Sequence, residues 1–251
     1  MTAHVTMPVQ GPFSLAAAAG FGFGPNPGRP SPDGGVFRLA FVADDLQHQT
    51  GAVLRQNPDG SLDAEISGAG DSGAAQSQIR RILSVDADPA GWLAAGKADP
   101  VLGHVQAAYP GLRPVLFHSP YEAAAWAMLS HRRNRAQATA VQRRLSEAAG
   151  MTFTLAGEQQ HAFPLPQRLL EVGSFPGIEE PRLARLHGVA RAALDGQLEA
   201  AQVASLPPAE AAKALQQIKG LGPFYAMLVY LRSSGVKDAA ALDEPRLAAY
   251  L

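Results

Sequence analysis

The 251-residue chain contains no cysteine, which excludes disulfides, iron–sulfur clusters and a thiolate nucleophile. It lacks any apolar run approaching the ~18 residues of a membrane span, and no basic segment followed by an apolar core opens it. Neither a membrane helix nor a secretory signal is expected. Charge is sparse and balanced: 21 Lys and Arg stand against 22 Asp and Glu, for a net charge of −1. That excludes a generally basic coat for nucleic acid, so any DNA partner has to be held by a local patch. Histidines do not recur at metal-ligand spacing, and no zinc site or other metal is expected. What remains is 47% hydrophobic and 17% charged. This is the balance of a globular chain with one or two cores, since domains typically run to about 100–150 residues.

Glycine and proline, by contrast, are plentiful, and they punctuate the chain. Residues 20–35 hold too many of both for a regular element. Val36–Val42 and Ala52–Arg55 have the branched and aromatic content of strands, Asn57-Pro-Asp-Gly60 is a turn, and Leu62–Ile66 alternates apolar and polar. These segments predict a small antiparallel sheet. From Asp71 the helical period takes over: Gln78–Leu83 ends before Asp86-Ala-Asp-Pro89, and Pro89 opens the next helix through Trp92. Pro110 and Pro114 mark a boundary, giving an N-terminal domain over 1–114 and a second over 115–251. From Ser119 onward nearly everything predicts helix: 119 or 120 to 129, 134–149, 180–195, 207–218 and 222–233. Ser205 is a candidate N-cap ahead of Pro207 and Pro208.

The richest segment is Leu215-Gln-Gln-Ile-Lys-Gly-Leu-Gly-Pro-Phe-Tyr-Ala226, followed later by Asp243-Glu244. Leu215 and Ile218 share a face before the glycines, as do Ala226 and Val229 after them, so the glycines form a hairpin between two helices. Glycine has no side chain and tolerates left-handed dihedrals, so such a hairpin can press its N–H groups against another chain. Those groups sit at a helix N-terminus, where the dipole favours an anion such as phosphate. An ordinary αα turn has the same pattern.

Phe117-His-Ser-Pro-Tyr-Glu-Ala-Ala-Ala-Trp-Ala-Met-Leu129, the Lys219-Gly-Leu-Gly-Pro hairpin and the late acids together resemble the helix–hairpin–helix DNA glycosylases, in particular bacterial 3-methyladenine DNA glycosylase II. Phe13-Ser-Leu, Gly34-Gly35, Asp59-Gly60, Gln78–Leu83 and Asp99-Pro-Val-Leu-Gly103 recur in that order in the family's N-terminal domain, so the resemblance covers almost the whole chain. It implies an α+β fold: a small N-terminal antiparallel β-sheet domain with helices, then an all-α domain carrying the helix–hairpin–helix at 215–232. It also implies double-stranded DNA with a damaged base as partner, base flipping before chemistry, no cofactor, no membrane, a monomer and a cytoplasmic, nucleoid-associated location.

The resemblance further assigns residues. The family's catalytic Asp stands three residues before an apolar helix residue, here Leu247, which puts Glu244 at that place. Its carboxylate would stabilise the positive charge developing on the sugar, or orient the attacking water. Asp243 substitutes if the register differs by one, and both acids also suit the N-cap of a helix starting at Pro245. Phe224 occupies the place of the Schiff-base lysine of bifunctional relatives, which implies a monofunctional enzyme. Phe224, Phe21, His131 and Trp126 are the implied base contacts, and aromatic rings suit a cationic purine. Phe224 fits plain helix packing equally well. Lys219, Gly220, Leu221 and Gly222 are the implied phosphate grip. Arg132, Arg133 and Arg135, with Arg143 and Arg144, form the one dense basic cluster, suited to phosphates or to a solvated helix face. His131 and Arg132 replace a glutamine and an apolar wedge of the family, and Asn134 replaces a capping serine. The chain ends at Leu251, where the family continues into a further helix that supplies another pocket aromatic. A catalytically silent DNA-binding relative and a helical protein-binding scaffold are the alternatives.

Overall fold

In the computed structural model the described residues are 2–26, 35–236 and 239. Gly34 and the segment with Asp243, Glu244, Pro245 and Leu247 lie outside them. The chain opens with β1 (Thr2–Met7) and a short helix α1 (Leu15–Gly20), followed by β2 (Phe37–Val42), β3 (Gln49–Gln56) and β4 (Leu62–Gly68). These strands form one antiparallel sheet in the order β1-β4-β3-β2. The expected turn joins β3 to β4, with the Gly60 N–H donating to the Asn57 carbonyl at 2.9 Å. Alternation decides the faces: Phe37, Leu39 and Phe41, with Leu62, Ala64 and Ile66, are buried while the residues between them are less so. They pack against Leu15 and Ala18 of α1 and against Ile79 and Ile82 of α2 (Ser72–Ile82).

Two further helices, α3 (Ala90–Ala98) and α4 (Pro100–Ala108), pack on each other and contain no buried residue. Beyond Pro114 come α5 (Pro120–Ser130), α6 (Arg135–Ala149), the strands β5 (Thr152–Leu155) and β6 (Glu158–His161), α7 (Pro166–Leu170), α8 (Glu180–Leu194), α9 (Ala200–Ser205), α10 (Pro208–Leu215) and α11 (Pro223–Ser233). Every residue from Pro120 to Leu129 is buried, so α5 is the central rod of this half. Ser119 caps it, accepting from the Glu122 N–H. Asn134 caps α6 in a reciprocal capping box with Gln137.

Two expectations are corrected. The second half is not all helix. Thr152–Leu155 alternates exposed and buried and pairs with Glu158–His161 across Ala156 and Gly157, both at positive φ (44° and 81°), as a tight hairpin of this kind needs. This hairpin covers the outer face of β3: Phe153, Leu155 and Ala162 bury Val53, and a Cβ on Gly51 would stand 2.7 Å from the Phe153 ring. Covered on both sides, β3 is buried from Gln49 to Leu54. Ser205 is not an N-cap either. Its hydroxyl donates back to the Gln202 carbonyl as the last residue of α9, and Pro207 takes the cap position of α10 without a side-chain bond.

Polar ties join the halves around the β2 terminus. The Val42 N–H donates to Glu122 Oε1 at 2.9 Å, and its carbonyl accepts from Gln78 Nε2 at 2.9 Å. Gln78 Nε2 also reaches the His118 carbonyl at 3.0 Å, and Arg81 bridges Asp44 and that same carbonyl. The Phe117 N–H donates to the carbonyl of Arg232, near the end of α11.

Candidate nucleic-acid interface

The hairpin between α10 and α11 forms because its apolar residues have somewhere to go. Leu215, Ile218, Leu221, Ala226 and Val229 are all buried in the helical core, while Lys219, Gly220, Gly222, Pro223 and Phe224 are exposed around them. Gly220 has φ +106°, a conformation that side chains resist. A Cβ there would stand 2.9 Å from Met128 Sδ and 3.1 Å from Arg185 Cδ. Glycine is therefore required twice over, for the turn and for close docking of the hairpin on α5 and α8. Among the described residues, the N–H groups of Lys219, Gly220 and Gly222 donate to no acceptor. Gly222 is the N-cap of α11 and supplies no side-chain bond, so the positive end of that helix stays open to an anion.

The C-terminal end of α5 meets this hairpin. Arg182 of α8 donates through Nη1 to the Met128, Leu129 and His131 carbonyls, which gives the last turn of α5 the partners a helix end otherwise lacks. Beyond it the chain turns at Arg132, an exposed non-glycine residue at φ +54°. Such a conformation is uncommon and costs of order 1–2 kcal/mol. The His131 ring stands 6.3 Å from the Tyr225 ring, and Tyr225 stands 5.3 Å from Phe224, both tilted edge to face. A row of three rings thus runs from the end of α5 onto the first turn of α11, and Phe224, 62% exposed, is its solvent end.

Other residues singled out from the sequence lie elsewhere. Trp126 is buried in the helical core. Phe21 sits against Phe23 and the Arg232 guanidinium, with Arg232 Cζ 5.5 Å and 4.0 Å from the two ring centroids. Phe21 is thus at the far end of α11 from Phe224, about 12 Å along the helix at ~1.5 Å per residue. The arginine cluster is dispersed. Arg133 donates to the Gly177 carbonyl and to Glu179, Arg135 donates to the Gly22 carbonyl, and Arg143 pairs with Glu147 on another face of α6. Arg132 follows His131, whose ring meets Tyr225 of α11, in the chain turn just described. Arg182 and Arg185 on α8 and the ring of Tyr225 were not singled out from the sequence. Their spacing on a helix was visible, but their convergence on α5 was not.

Burial holds the His131 imidazole below the usual histidine range, and the charges of Arg182, Arg132 and Arg185 push the same way. The folded chain therefore takes up fewer protons at this site than the unfolded one. Its contribution is whole above the ordinary histidine pKa of ~6.5 and is lost as pH falls below it. Replacing His131 by Gln is expected to flatten the decline of Tm over roughly pH 7 to 5. Thermal unfolding of both proteins across that range checks this, and parallel curves would refute it.

A glycine hairpin joining two helices, docked on a buried central helix beside a small antiparallel sheet, is the architecture of the helix–hairpin–helix DNA glycosylases. By fold and by sequence the chain is similar to proteins of that superfamily. Among curated proteins it is similar to the DNA-3-methyladenine glycosylase of Bacillus subtilis (strain 168), with 25% identity over 170 residues, covering 66% of this chain and 56% of that protein. It thus spans a little over half the length of that relative. Among solved structures, the 3-methyladenine DNA glycosylase from Archaeoglobus fulgidus superposes with a TM-score of 0.70 at 17% identity, over 93% of this chain and 80% of the other. MBOgg1 in complex with a low-affinity DNA ligand superposes with a TM-score of 0.63 at 18% identity, over 82% and 68%. No family model matches the chain.

Proposed function

We propose that this chain is a monofunctional DNA base-excision glycosylase that flips a damaged base from duplex DNA and hydrolyses its N-glycosidic bond, with alkylated purines of the 3-methyladenine type as substrates. The observation that carries the reading is the single surface shared by three unbonded hairpin N–H groups, the left-handed Arg132 and the Phe224–Tyr225–His131 rings. Each has a task in such a reaction. The hairpin N–H groups, the open end of α11 and Lys219 grip backbone phosphate. Arg132, held in a strained turn beside them, is presented to the strand from which the base leaves, with Arg182 fixing the helix end that carries the turn. A non-glycine residue kept at positive φ carries a conformational cost, and such strain is often placed at functional sites.

Base flipping costs a few kcal/mol and least for a damaged base. An N-alkylated purine is cationic, so the face of Phe224 attracts it more than its neutral parent. Such a base is already a good leaving group, and the remaining need is a carboxylate against the charge developing on the sugar. Glu244 is assigned that role, with Asp243 as the alternative acid. Phe224 stands where a lyase would need an amine nucleophile, so strand cleavage does not follow.

The test is single-turnover release of 3-methyladenine or 7-methylguanine from alkylated duplex DNA by the wild type, Glu244→Gln and Asp243→Asn. Release by the wild type, lowered about 10²–10³-fold in the Glu244 variant alone, is the expected result. A folded wild type that binds DNA and releases no base would overturn the assignment. Uracil- and 8-oxoguanine-containing duplexes run in parallel distinguish a correct reaction from a wrong substrate class.

A further inference from the structure

A sizeable cavity lies away from the hairpin. It lies between β2 and β6 on one side and the start of α5 and the flank of α6 on the other, with a volume of about 700 Å³. Such a volume is within the range of small-molecule sites. His118 and Glu122 on its wall precede Met128 by roughly two to three helical turns, so it stands about 10–15 Å along α5 from the end where the hairpin docks.

Its wall combines aromatic rings with polar groups of unusual status. Phe23, Phe37, Phe117 and Phe163 contribute rings, those of Phe23 and Phe117 meeting edge to face at 4.8 Å. Gln142 of α6 also lines it. This side chain is 8% exposed and its carboxamide makes no hydrogen bond, with Oε1 sealed from water and without a partner. An unpaired buried amide is costly and rare enough in a native fold to ask for a reason. The same wall carries His118, whose Nδ1 is occupied by Glu122 Oε2 at 2.9 Å, leaving Nε2 for another partner. The charges on the wall are already matched within the protein. Glu122 takes the Val42 N–H and His118, Arg143 pairs with Glu147, and Arg38 holds the Leu155 and Ala156 carbonyls and Glu158. Such a wall suits a neutral ligand better than an ion.

We propose that this interdomain cavity is a second binding site, for a free purine base or a similar flat, neutral heteroaromatic, oriented by the Gln142 carboxamide. A carboxamide offers a donor and an acceptor side by side, the pairing that meets an adenine edge at two points. Rotation of its terminal torsion exchanges the two at little cost, so the sealed oxygen can be presented in place of the nitrogen. Aromatic walls supply the apolar contact for the ring. The site needs no DNA and does not depend on the reaction proposed above.

Adenine, titrated into the full chain and followed by thermal shift and calorimetry, is the probe. Three proteins are compared: wild type, Gln142→Met and Phe224→Ala. Methionine keeps the shape of glutamine and removes the orphan amide, so Gln142→Met is expected to melt at or above the wild-type temperature without ligand. Its affinity for adenine is expected to fall at least tenfold, the usual penalty when a hydrogen-bonding pair in a binding site is broken. Phe224→Ala, an exposed change at the hairpin, is expected to bind adenine as the wild type does. That pattern supports the proposal. Absence of adenine binding by the wild type, unchanged binding by Gln142→Met, or loss of binding in Phe224→Ala each overturns it, the last by placing the base at the hairpin instead.

Discussion

Gly220→Ala is expected to destabilise the fold by about 2–4 kcal/mol, combining the cost of a side chain at positive φ with overpacking against α5. At φ +106° the added methyl meets Met128 Sδ at 2.9 Å, and the turn has to open to release it. Opening moves the N–H groups of Lys219, Gly220 and Gly222 together, so duplex affinity should fall roughly tenfold or more. Gly222→Ala provides the contrast. Its φ of −76° is ordinary and an added Cβ meets nothing within 4 Å. Stability should stay within about 0.5 kcal/mol, while the methyl stands on the surface assigned to phosphate. Urea unfolding with fluorescence anisotropy on an abasic-site duplex separates the two. Equal stability of both variants would show that the hairpin does not dock as described.

The second large effect is expected at Glu122. Its carboxylate, 4% exposed, accepts the Val42 N–H at 2.9 Å and meets His118 Nδ1 at 2.9 Å. Glu122→Ala leaves that N–H, on a residue with no exposure, without an acceptor and strips the imidazole of its partner. The expected loss is about 3 kcal/mol, the sum of an unsatisfied buried donor and a lost charge-assisted bond. Glu122→Gln retains an acceptor for Val42 and should lose about half as much. Because the bond joins β2 to α5, the unfolding transition should also broaden as the halves uncouple. A Glu122→Ala protein as stable as the wild type would show that the carboxylate is dispensable to the junction.

How far the sequence foretold these positions depends on the range of each interaction. The hairpin was legible because everything that makes it is local: two apolar pairs at helical spacing, two glycines and a proline inside the next helix. The turn at Asn57–Gly60 was legible for the same reason, whereas Asn134 was marked as a cap only through the family resemblance, without its reciprocal partner Gln137. The β5–β6 hairpin was not. Its strands are four residues long, and Ala156 occupies a positive-φ position where Asn or Gly would have advertised the turn. Its burial comes from β3, a hundred residues earlier. The basic cluster misled in the opposite direction. Of five arginines close in sequence, Arg133, Arg135 and Arg143 are turned to three different partners by one left-handed residue and the helical period, whereas Arg182, from a separate helix, reaches the end of α5. The acidic pair that the family resemblance assigns to catalysis is outside the described residues.

The seating of Phe153, Leu155 and Ala162 on Val53 also bears on how the chain is made. At a synthesis rate of about 5–20 residues per second, roughly 5–20 s separate the emergence of Val53 from that of Phe153. Through that interval the outer face of β3, including the gap above Gly51 that the Phe153 ring fills, has no cover from its own polypeptide. The amino-terminal sheet is therefore a late-completed unit on the ribosome, open to strangers for seconds. A nascent chain released before residue 163 would carry that bare face into the cell.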